Sequence, residues 1–225
     1  MNLEEVLINI PVFPVMGEAL TNENAFEIKV SDFKTELLHL KDSSKSSLFQ
    51  MYMDEKRKIQ KKKFALGGYL EDRSWYARSP LFGKLRSIHI AVDIWADEDA
   101  SVYAPLDGVI HSFADNEGFG NYGPTLILEH TVEEQTFYTL YGHLSRKNLS
   151  QWSIGEKVGK GSRIGNLGLM EENGDWPAHL HFQIIHDLQG MQGDYPGVAA
   201  IEDVNYYKIN CPDPDVLLRF KKENA

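Results

Sequence analysis

Cysteine is nearly absent from this sequence, and its scarcity removes one class of structure. Cys211 is the only cysteine among 225 residues, so the chain cannot form an internal disulfide. Cysteine usage therefore gives no sign of an oxidising compartment. We interpret this single thiol, near the C-terminus, as a small packed residue and not as a nucleophile.

Long apolar runs are also missing. No uninterrupted run approaches the ~20 residues that a helix needs to span a bilayer. The segment Met1–Glu5 carries acid where a secretory signal carries positive charge, and Val6–Val15 is interrupted by Asn9, Pro11 and Pro14. The sequence thus predicts no membrane span, no signal peptide and a cytoplasmic location.

Positive charge is scarce, with 23 Lys and Arg against 33 Asp and Glu and a net charge of -10. This balance argues against nucleic acid or anionic lipid as a partner. The one strongly basic run, Lys56–Lys63, ends a helix predicted from Leu48 to about Lys62, with Ser47 and Gln50 at capping-box spacing. The run could attract phosphate or an acidic partner, but we interpret it as a solvated helix face.

Histidine, in contrast, occurs in pairs with strand spacing. If the segment around residue 180 is extended, His179 and His181 share one face of the strand, and Leu180 and Phe182 share the other. Two imidazoles would then stand side by side on a rigid strand. The alternative is a chance pairing, because the chain carries 8 His.

A second pair of polar residues lies upstream. Read as one strand, His89, Ala91 and Asp93 face one way, and Ile90 and Val92 face the other. The small alanine leaves room for an ion held by its neighbours. Two imidazoles and a carboxylate form a suitable zinc set with a fourth position for water. Taken alone, the segment is equally consistent with a half-buried strand whose Asp caps a turn.

A third candidate is His143. We expect Thr139, Tyr141 and His143 to share a strand face, and the histidine ends its strand where it can reach a cleft. A turn histidine held by hydrogen bonds is the alternative. The remaining histidines lack a paired ligand at strand spacing and are predicted to be structural: His39, His111, His130 and His186.

The chain divides into an N-terminal arm and a β domain. Residues 1–66 are predicted to form an arm with short strands and one basic helix, and Gly67-Gly68 marks the entry into a domain over residues 67–225. Short strands, including a hairpin of 125–130 with 136–143, favour an antiparallel barrel or sandwich. The stretch 69–76 either lines a groove, places a carboxylate over the metal, or forms a connecting loop stapled by Trp75 and Tyr76.

These motifs occur together in the order found in one family. Over roughly residues 85–185, the chain resembles the lysostaphin-like (LytM-type) zinc metallopeptidases, on the basis of His89 and Asp93, Val102–Val109, Tyr141–Leu144, the glycines at 159, 161 and 165, and His179–Phe182. The resemblance implies a mainly β fold, an antiparallel barrel-sandwich hybrid, preceded here by the N-terminal extension with one helix.

The resemblance also implies an activity and a site. It implies hydrolysis of peptide bonds, in the family usually those of peptidoglycan cross-links, by a water activated on Zn²⁺. His89, Asp93 and His181 would be the zinc ligands, and His143 and His179 the catalytic histidines. General acid-base help from a histidine is typically worth ~10²–10⁴ in rate.

The chain departs from the family pattern in its groove. Ala91 stands where the family usually has glycine, Gln183 where it commonly has Glu, and residues 168–177 replace a Ser/Thr-Gly-rich approach. A non-catalytic binding or regulatory module of the same fold is therefore an alternative. A carrier domain is a third reading, because the segments 104–108 and 158–161 also resemble biotinyl and lipoyl modules, but the lysine hairpin that is modified in them is not evident.

Overall fold

Strands provide most of the regular structure in a computed structural model that describes residues 2–29, 45–73 and 86–220. In chain order the strands are β1 (Ala25–Ile28), β2 (Phe64–Gly67), β3 (Arg86–His89), β4 (Val92–Trp95), β5 (Ser101–Tyr103), β6 (Gly108–Asn116), β7 (Gly123–Val132), β8 (Gln135–Gly142), β9 (Lys157–Val158), β10 (Arg163–Asn166), β11 (His179–Ile185) and β12 (Val198–Ala200). The helices are α1 (Leu3–Asn9), α2 (Lys45–Gln60), α3 (Val204–Asn210) and α4 (Asp215–Leu218), with 3₁₀ turns at Arg146–Gln151 and Ile201–Asp203. The prediction of a mainly β protein is confirmed. Among the described helices, none combines the length and the apolar character that crossing a membrane requires.

Eight of the described strands form one sheet, in the order β1-β2-β4-β11-β8-β7-β6-β9. β1 and β2 run parallel, and every other neighbouring pair is antiparallel. Two small antiparallel sheets, β5 with β10 and β3 with β12, complete the set. β11 lies between β4 and β8 and is buried along its whole length, so its side chains stand on a rigid support.

The predicted hairpin is present and is formed by β7 and β8. Val132 pairs with Gln135, which leaves Glu133 and Glu134 as a two-residue turn. Both turn residues have positive φ, 47° and 66°, as a tight turn matching the strand twist requires. The hairpin carries the chain to Gly142, next to the centre of the sheet.

Side chains of β11 alternate as the sequence predicts. Leu180 and Phe182 pack into the main hydrophobic core with Ile94 and Tyr141. His179 and His181 point to the opposite face, where their rings contact those of other histidines. The predicted pairing of two imidazoles on one strand face is therefore confirmed.

The prediction of a single strand through His89 and Asp93 is wrong. β3 ends at His89 and pairs with β12, whereas β4 begins at Val92 and pairs with β2 and β11. Between them, Ile90 donates its backbone N–H to Gly197 O over 3.0 Å. The chain passes from one sheet to the other here because the two strands have different, distant partners. Ala91 is fully buried at this crossing.

The N-terminal arm contains two described helices instead of the predicted one. Of the short strands predicted in the arm, the described residues before α2 contain β1, and residues 30–44 lie outside the described residues. α1 precedes β1 and begins with a capping box formed by Asn2 and Glu5. Leu3 and Leu7 of α1 are buried in the main core. The predicted boundary after residue 66 falls inside β2, which pairs directly with β4.

The basic helix α2 begins earlier than predicted, so Ser47 lies inside it and the predicted capping box at Ser47 is wrong. Gln50 instead accepts a hydrogen bond from the backbone N–H of Ala178 over 2.7 Å. The basic run is only partly solvated. Arg57 is buried and contacts Asp97 over 2.8 Å, and Lys62 donates to backbone carbonyls of the arm.

Candidate metal centre and cleft

Three side chains from three strands converge on one point. His89 Nε2 lies 3.2 Å from His181 Nδ1 and 3.3 Å from Asp93 Oδ1, and His181 Nδ1 lies 3.2 Å from the same carboxylate oxygen. All three residues are buried. Among the described residues, this is the one group of His, Cys, Asp and Glu side chains with the spacing of a metal site.

The spacing fits a tetrahedral zinc ion. Zinc lies ~2.0–2.2 Å from nitrogen and oxygen ligands, so tetrahedral angles place two ligand atoms about 3.3–3.5 Å apart. Asp93 Oδ1 is buried and makes no hydrogen bond of good geometry within the described residues. Such an orphaned oxygen is costly unless a cation satisfies it. The residues present therefore fit the metal.

Hydrogen bonds on the outer side of each imidazole fix which nitrogen is free to bind a metal. His89 Nδ1 donates to the carbonyl of Gly68 over 3.2 Å, so its Nε2 carries a lone pair. His181 Nε2 donates to Gln183 Oε1 over 3.0 Å, so its Nδ1 carries a lone pair. The amide of Gln183 is oriented in turn by its own donation to Pro196 O over 3.1 Å. Two lone pairs and a carboxylate oxygen thus face the same point.

The charges around the site are arranged to keep Asp93 ionised. Burial alone would raise the pKa of Asp93, but the adjacent Arg73 cation holds it well below its usual value. Burial, with the nearby Arg73 cation, lowers the pKa of His89 to about 4. A neutral imidazole and an ionised carboxylate are the forms that bind zinc.

Arg73 was not predicted as part of the site. It lies in the stretch for which the sequence suggested a groove wall or a connecting loop, and its side chain is 1% exposed. Nη1 contacts Asp93 Oδ2 over 2.5 Å, and Nε contacts Glu71 Oε2 over 3.1 Å. The carboxylate of Glu71 thus contacts this arginine and is outside the cluster of His89, Asp93 and His181, which we call the ligand group. Trp75 and Tyr76 lie outside the described residues.

His143 and His179 lie beside the ligand group. Their ring centroids are 4.2 Å apart, and His179 Nε2 is 3.8 Å from Asp93 Oδ1. His143 Nδ1 donates to Asn173 O over 2.8 Å and His179 Nδ1 donates to Pro177 O over 2.6 Å. Each ring therefore keeps Nε2 as a proton acceptor. Burial lowers the pKa of both histidines, that of His143 well below its usual value, so both are neutral at neutral pH.

The predicted face of His143 is wrong, although the residue does reach the cleft. Thr139 and Tyr141 hydrogen-bond each other over 2.9 Å inside the core, on the face that Phe182 also occupies. β8 ends at Gly142, and His143 then adopts a left-handed conformation with φ 62°. This turn of the backbone brings its ring to the His179 face.

A cleft of about 280 Å³ opens onto the five predicted residues. Its walls include Tyr122, Trp176 and Tyr195. The Tyr122 hydroxyl donates to Tyr195 O over 3.1 Å and lies 3.4 Å from His181 Nε2, so it closes one side of the ligand group. Trp176 meets the rings of both His143 and His179 edge-on, at 6.5 Å.

The histidines predicted to be structural stay outside the ligand group where they are described. His130 is fully buried and bridges Asp107 O, over 2.8 Å, and Thr139 Oγ1, over 2.7 Å. His111 contacts Ser112 and the ring of Tyr138. His39 lies outside the described residues.

Comparison with known proteins finds one matching family model. Residues 87–193, which contain all five predicted site residues, match the model of Peptidase family M23. This match confirms the resemblance to the lysostaphin-like metallopeptidases that the sequence indicated, over slightly less than half of the chain. No curated protein sequence matches the chain.

Two solved structures show the extent of similarity. A zinc-containing peptidase from Vibrio cholerae is 27% identical with a TM-score of 0.37, and the match covers 47% of this chain and 29% of that protein. The catalytic domain of the antimicrobial peptidase lysostaphin from Staphylococcus simulans is 16% identical with a TM-score of 0.40, and the match covers 71% of this chain and 97% of that domain. The chain thus spans less than a third of the Vibrio protein's length.

Proposed function

We propose that this protein is a zinc-dependent metallopeptidase that hydrolyses peptide bonds, with His89, Asp93 and His181 as metal ligands and His143 and His179 as catalytic histidines. The observation that carries the proposal is the triangle of three buried ligand atoms with edges of 3.2–3.3 Å. A match to the model of a peptidase family over the same residues supports it.

His89, Asp93 and His181 would hold a zinc ion at the side of the cleft. When bound, zinc would supply Lewis acidity toward a substrate carbonyl and would lower the pKa of a water molecule to ~7. Asp93 supplies the single negative charge of the set. His89 and His181 stay oriented because Gly68 O and Gln183 Oε1 accept their outer N–H groups.

His143 and His179 handle the protons. Peptide hydrolysis requires a base that takes a proton from the attacking water and an acid that gives one to the leaving amine. Nε2 of each histidine is free to accept, because each Nδ1–H is held by a backbone carbonyl. Once protonated at Nε2, either ring can donate to the leaving nitrogen or stabilise the tetrahedral oxyanion.

The proposed substrate is a peptide, and the family resemblance points to peptidoglycan cross-link peptides. The closely packed rings around the cleft favour slender segments, so glycine-rich peptides are the first probes. We also propose that the described sheets form the barrel-sandwich hybrid expected from the sequence. The cytoplasmic location remains a prediction.

Hydrolysis of a panel of cross-link and glycine-rich peptides tests this function. We expect turnover by the zinc-loaded protein, loss of turnover after chelation, and no turnover by His181→Ala. His111→Ala is the matched control, since it removes an imidazole far from the ligand group and should remain active. A folded, zinc-loaded protein that turns over none of these peptides would support the alternative, a non-catalytic metal-containing binding or regulatory module.

A further inference from the structure

A short segment upstream of the family-matched region contacts the side chains of the site. Gly68 O accepts from the ring of His89, and Glu71 O accepts from the backbone N–H of the same residue over 3.0 Å. Arg73 then reaches Asp93. Residues 68–73 therefore contact two of the three proposed ligands, yet they precede residue 87, where the family match begins.

We propose that Arg73 is a positioning residue of the metal centre, which holds one oxygen of Asp93 so that only the other oxygen faces the metal. Building on the zinc site of the proposed function, this inference assigns a role to a residue outside the matched family segment. Arg73 does not touch the reacting atoms. It acts through Asp93.

The two oxygens of Asp93 have different partners. Oδ2 lies 2.5 Å from Arg73 Nη1, and Oδ1 lies 3.2 and 3.3 Å from the facing nitrogens of His181 and His89. A carboxylate with both oxygens free can bind a metal through both. With Oδ2 held by the guanidinium, Asp93 offers one oxygen, which preserves the open fourth position that a catalytic zinc site needs.

Arg73 is itself held in place. Its Nε contacts Glu71 Oε2 over 3.1 Å, its backbone N–H donates to Ser87 O over 2.7 Å, and its guanidinium lies 6.0 Å from the centre of the Trp95 ring. The planar guanidinium can bind two carboxylates at fixed angles, whereas a lysine ammonium is a single point charge. The orientation of Asp93 thus follows from a preorganised Glu71–Arg73 pair.

Positioning and simple repulsion predict opposite effects on zinc affinity. A buried cation beside the site repels a divalent metal, so removing it should tighten binding if charge alone mattered. If Arg73 instead orients Asp93, removing it should weaken binding, because the loss of partners that orient a metal ligand typically costs ~10–100-fold in affinity. Whether zinc affinity falls or rises when Arg73 is removed therefore distinguishes positioning from repulsion.

The experiment is a chelator-competition measurement of the zinc Kd for the full chain, Arg73→Met and Arg73→Lys. We expect Arg73→Met to weaken zinc binding ~10–100-fold and Arg73→Lys to fall between it and the wild type. In the cobalt-loaded protein, the visible spectrum of Arg73→Met should shift from a four-coordinate to a five-coordinate form, as Asp93 binds through both oxygens.

Arg57→Met is the matched control. Arg57 is also buried and also contacts carboxylates, Asp54 over 2.9 Å and Asp97 over 2.8 Å, but it lies outside the metal centre. Its loss should lower the melting temperature and leave the zinc Kd unchanged. An Arg73→Met protein with equal or tighter zinc affinity and an unaltered cobalt spectrum would overturn the inference.

If Arg73→Met does not fold, the zinc Kd of Arg73→Lys tests the inference instead. Weaker binding than in the wild type supports the positioning role, and equal or tighter binding contradicts it. Failure of the inference is distinct from failure of the proposed function. A wild-type protein that binds no zinc contradicts both, whereas equal binding by the wild type and the Arg73 variants contradicts only the positioning role.

Discussion

Nε2 of His89 and Nδ1 of His181 lie 3.2 Å apart, although the two residues are separated by 92 positions in the sequence. Both nitrogens carry lone pairs, because the outer nitrogen of each ring donates to an oxygen. Two lone pairs held this close repel each other unless a cation lies between them.

Replacing either of the two proposed catalytic histidines should separate metal binding from turnover. We expect His143→Ala and His179→Ala to retain zinc and to lose ~10²–10⁴ in kcat/KM, because each removes a proton carrier without removing a ligand. Peptide hydrolysis and zinc content are measured on the same samples. Loss of zinc together with activity in both variants would assign these residues to the ligand set instead.

Gln183 should control zinc affinity through His181. Gln183→Leu removes the oxygen that accepts from His181 Nε2, so the ring is free to turn or to change tautomer, and we expect zinc affinity to fall ~10–100-fold. Gln183→Glu keeps an acceptor at this place and should bind zinc more tightly than Gln183→Leu does. Equal Kd values for the two variants would exclude this role.

Gly197 should be intolerant of a side chain because of its neighbours. A Cβ there would lie 2.0 Å from the Tyr122 hydroxyl oxygen and 2.9 Å from His181 Cε1. We expect Gly197→Ala to lose about 1–3 kcal/mol of stability and to weaken zinc binding. Tyr122→Phe removes the nearer atom, so the double variant should be less destabilised than the sum of the single variants, by ~0.5 kcal/mol or more. Strict additivity in urea unfolding would contradict the contact.

Acid should destabilise the metal-free protein through its buried histidines. Burial lowers the pKa of His130 from 6.5 to about 4. Between these values the unfolded state binds a proton that the folded state rejects, so the free energy of unfolding falls as the pH falls. The slope for one group is about 1.4 kcal/mol per pH unit, or about 3 kcal/mol in total, and the contribution is fully present above pH 6.5.

His130→Gln tests this assignment. The glutamine can still donate to Asp107 O, but it does not titrate. Between the two pKa values, unfolding of the variant should therefore take up one proton fewer than unfolding of the wild type, and its stability should depend less steeply on pH. The buried His89, His143 and His179 shift in the same direction and supply the remaining slope. Identical slopes for the wild type and the variant between pH 4 and 6.5 would argue against a neutral His130 in the fold.

Local pattern was sufficient to predict the His179–His181 pair and the β7–β8 hairpin. A strand alternates its side chains with a fixed period of two, and a hairpin is closed by the residues next to it in sequence. Both features depend only on neighbours in the chain. They were therefore visible in the sequence before any pairing partner was known.

Features that depend on distant partners were missed or misassigned. The break between His89 and Asp93 follows from the pairing of β3 with β12 and of β4 with β11, which no local pattern reports. His143 reaches the cleft through a left-handed backbone that a strand pattern does not predict. Arg73 contacts a carboxylate 20 positions away, and only its position before the first ligand strand hinted at a role.

Elemental analysis of zinc in the purified protein tests the central claim most directly. We expect about one zinc ion per chain in the wild type and in His143→Ala, and almost none in His89→Ala, Asp93→Ala and His181→Ala, each checked for folding by circular dichroism. Folded ligand variants that retain the wild-type zinc content, or a folded wild type that takes up no zinc, would contradict the account.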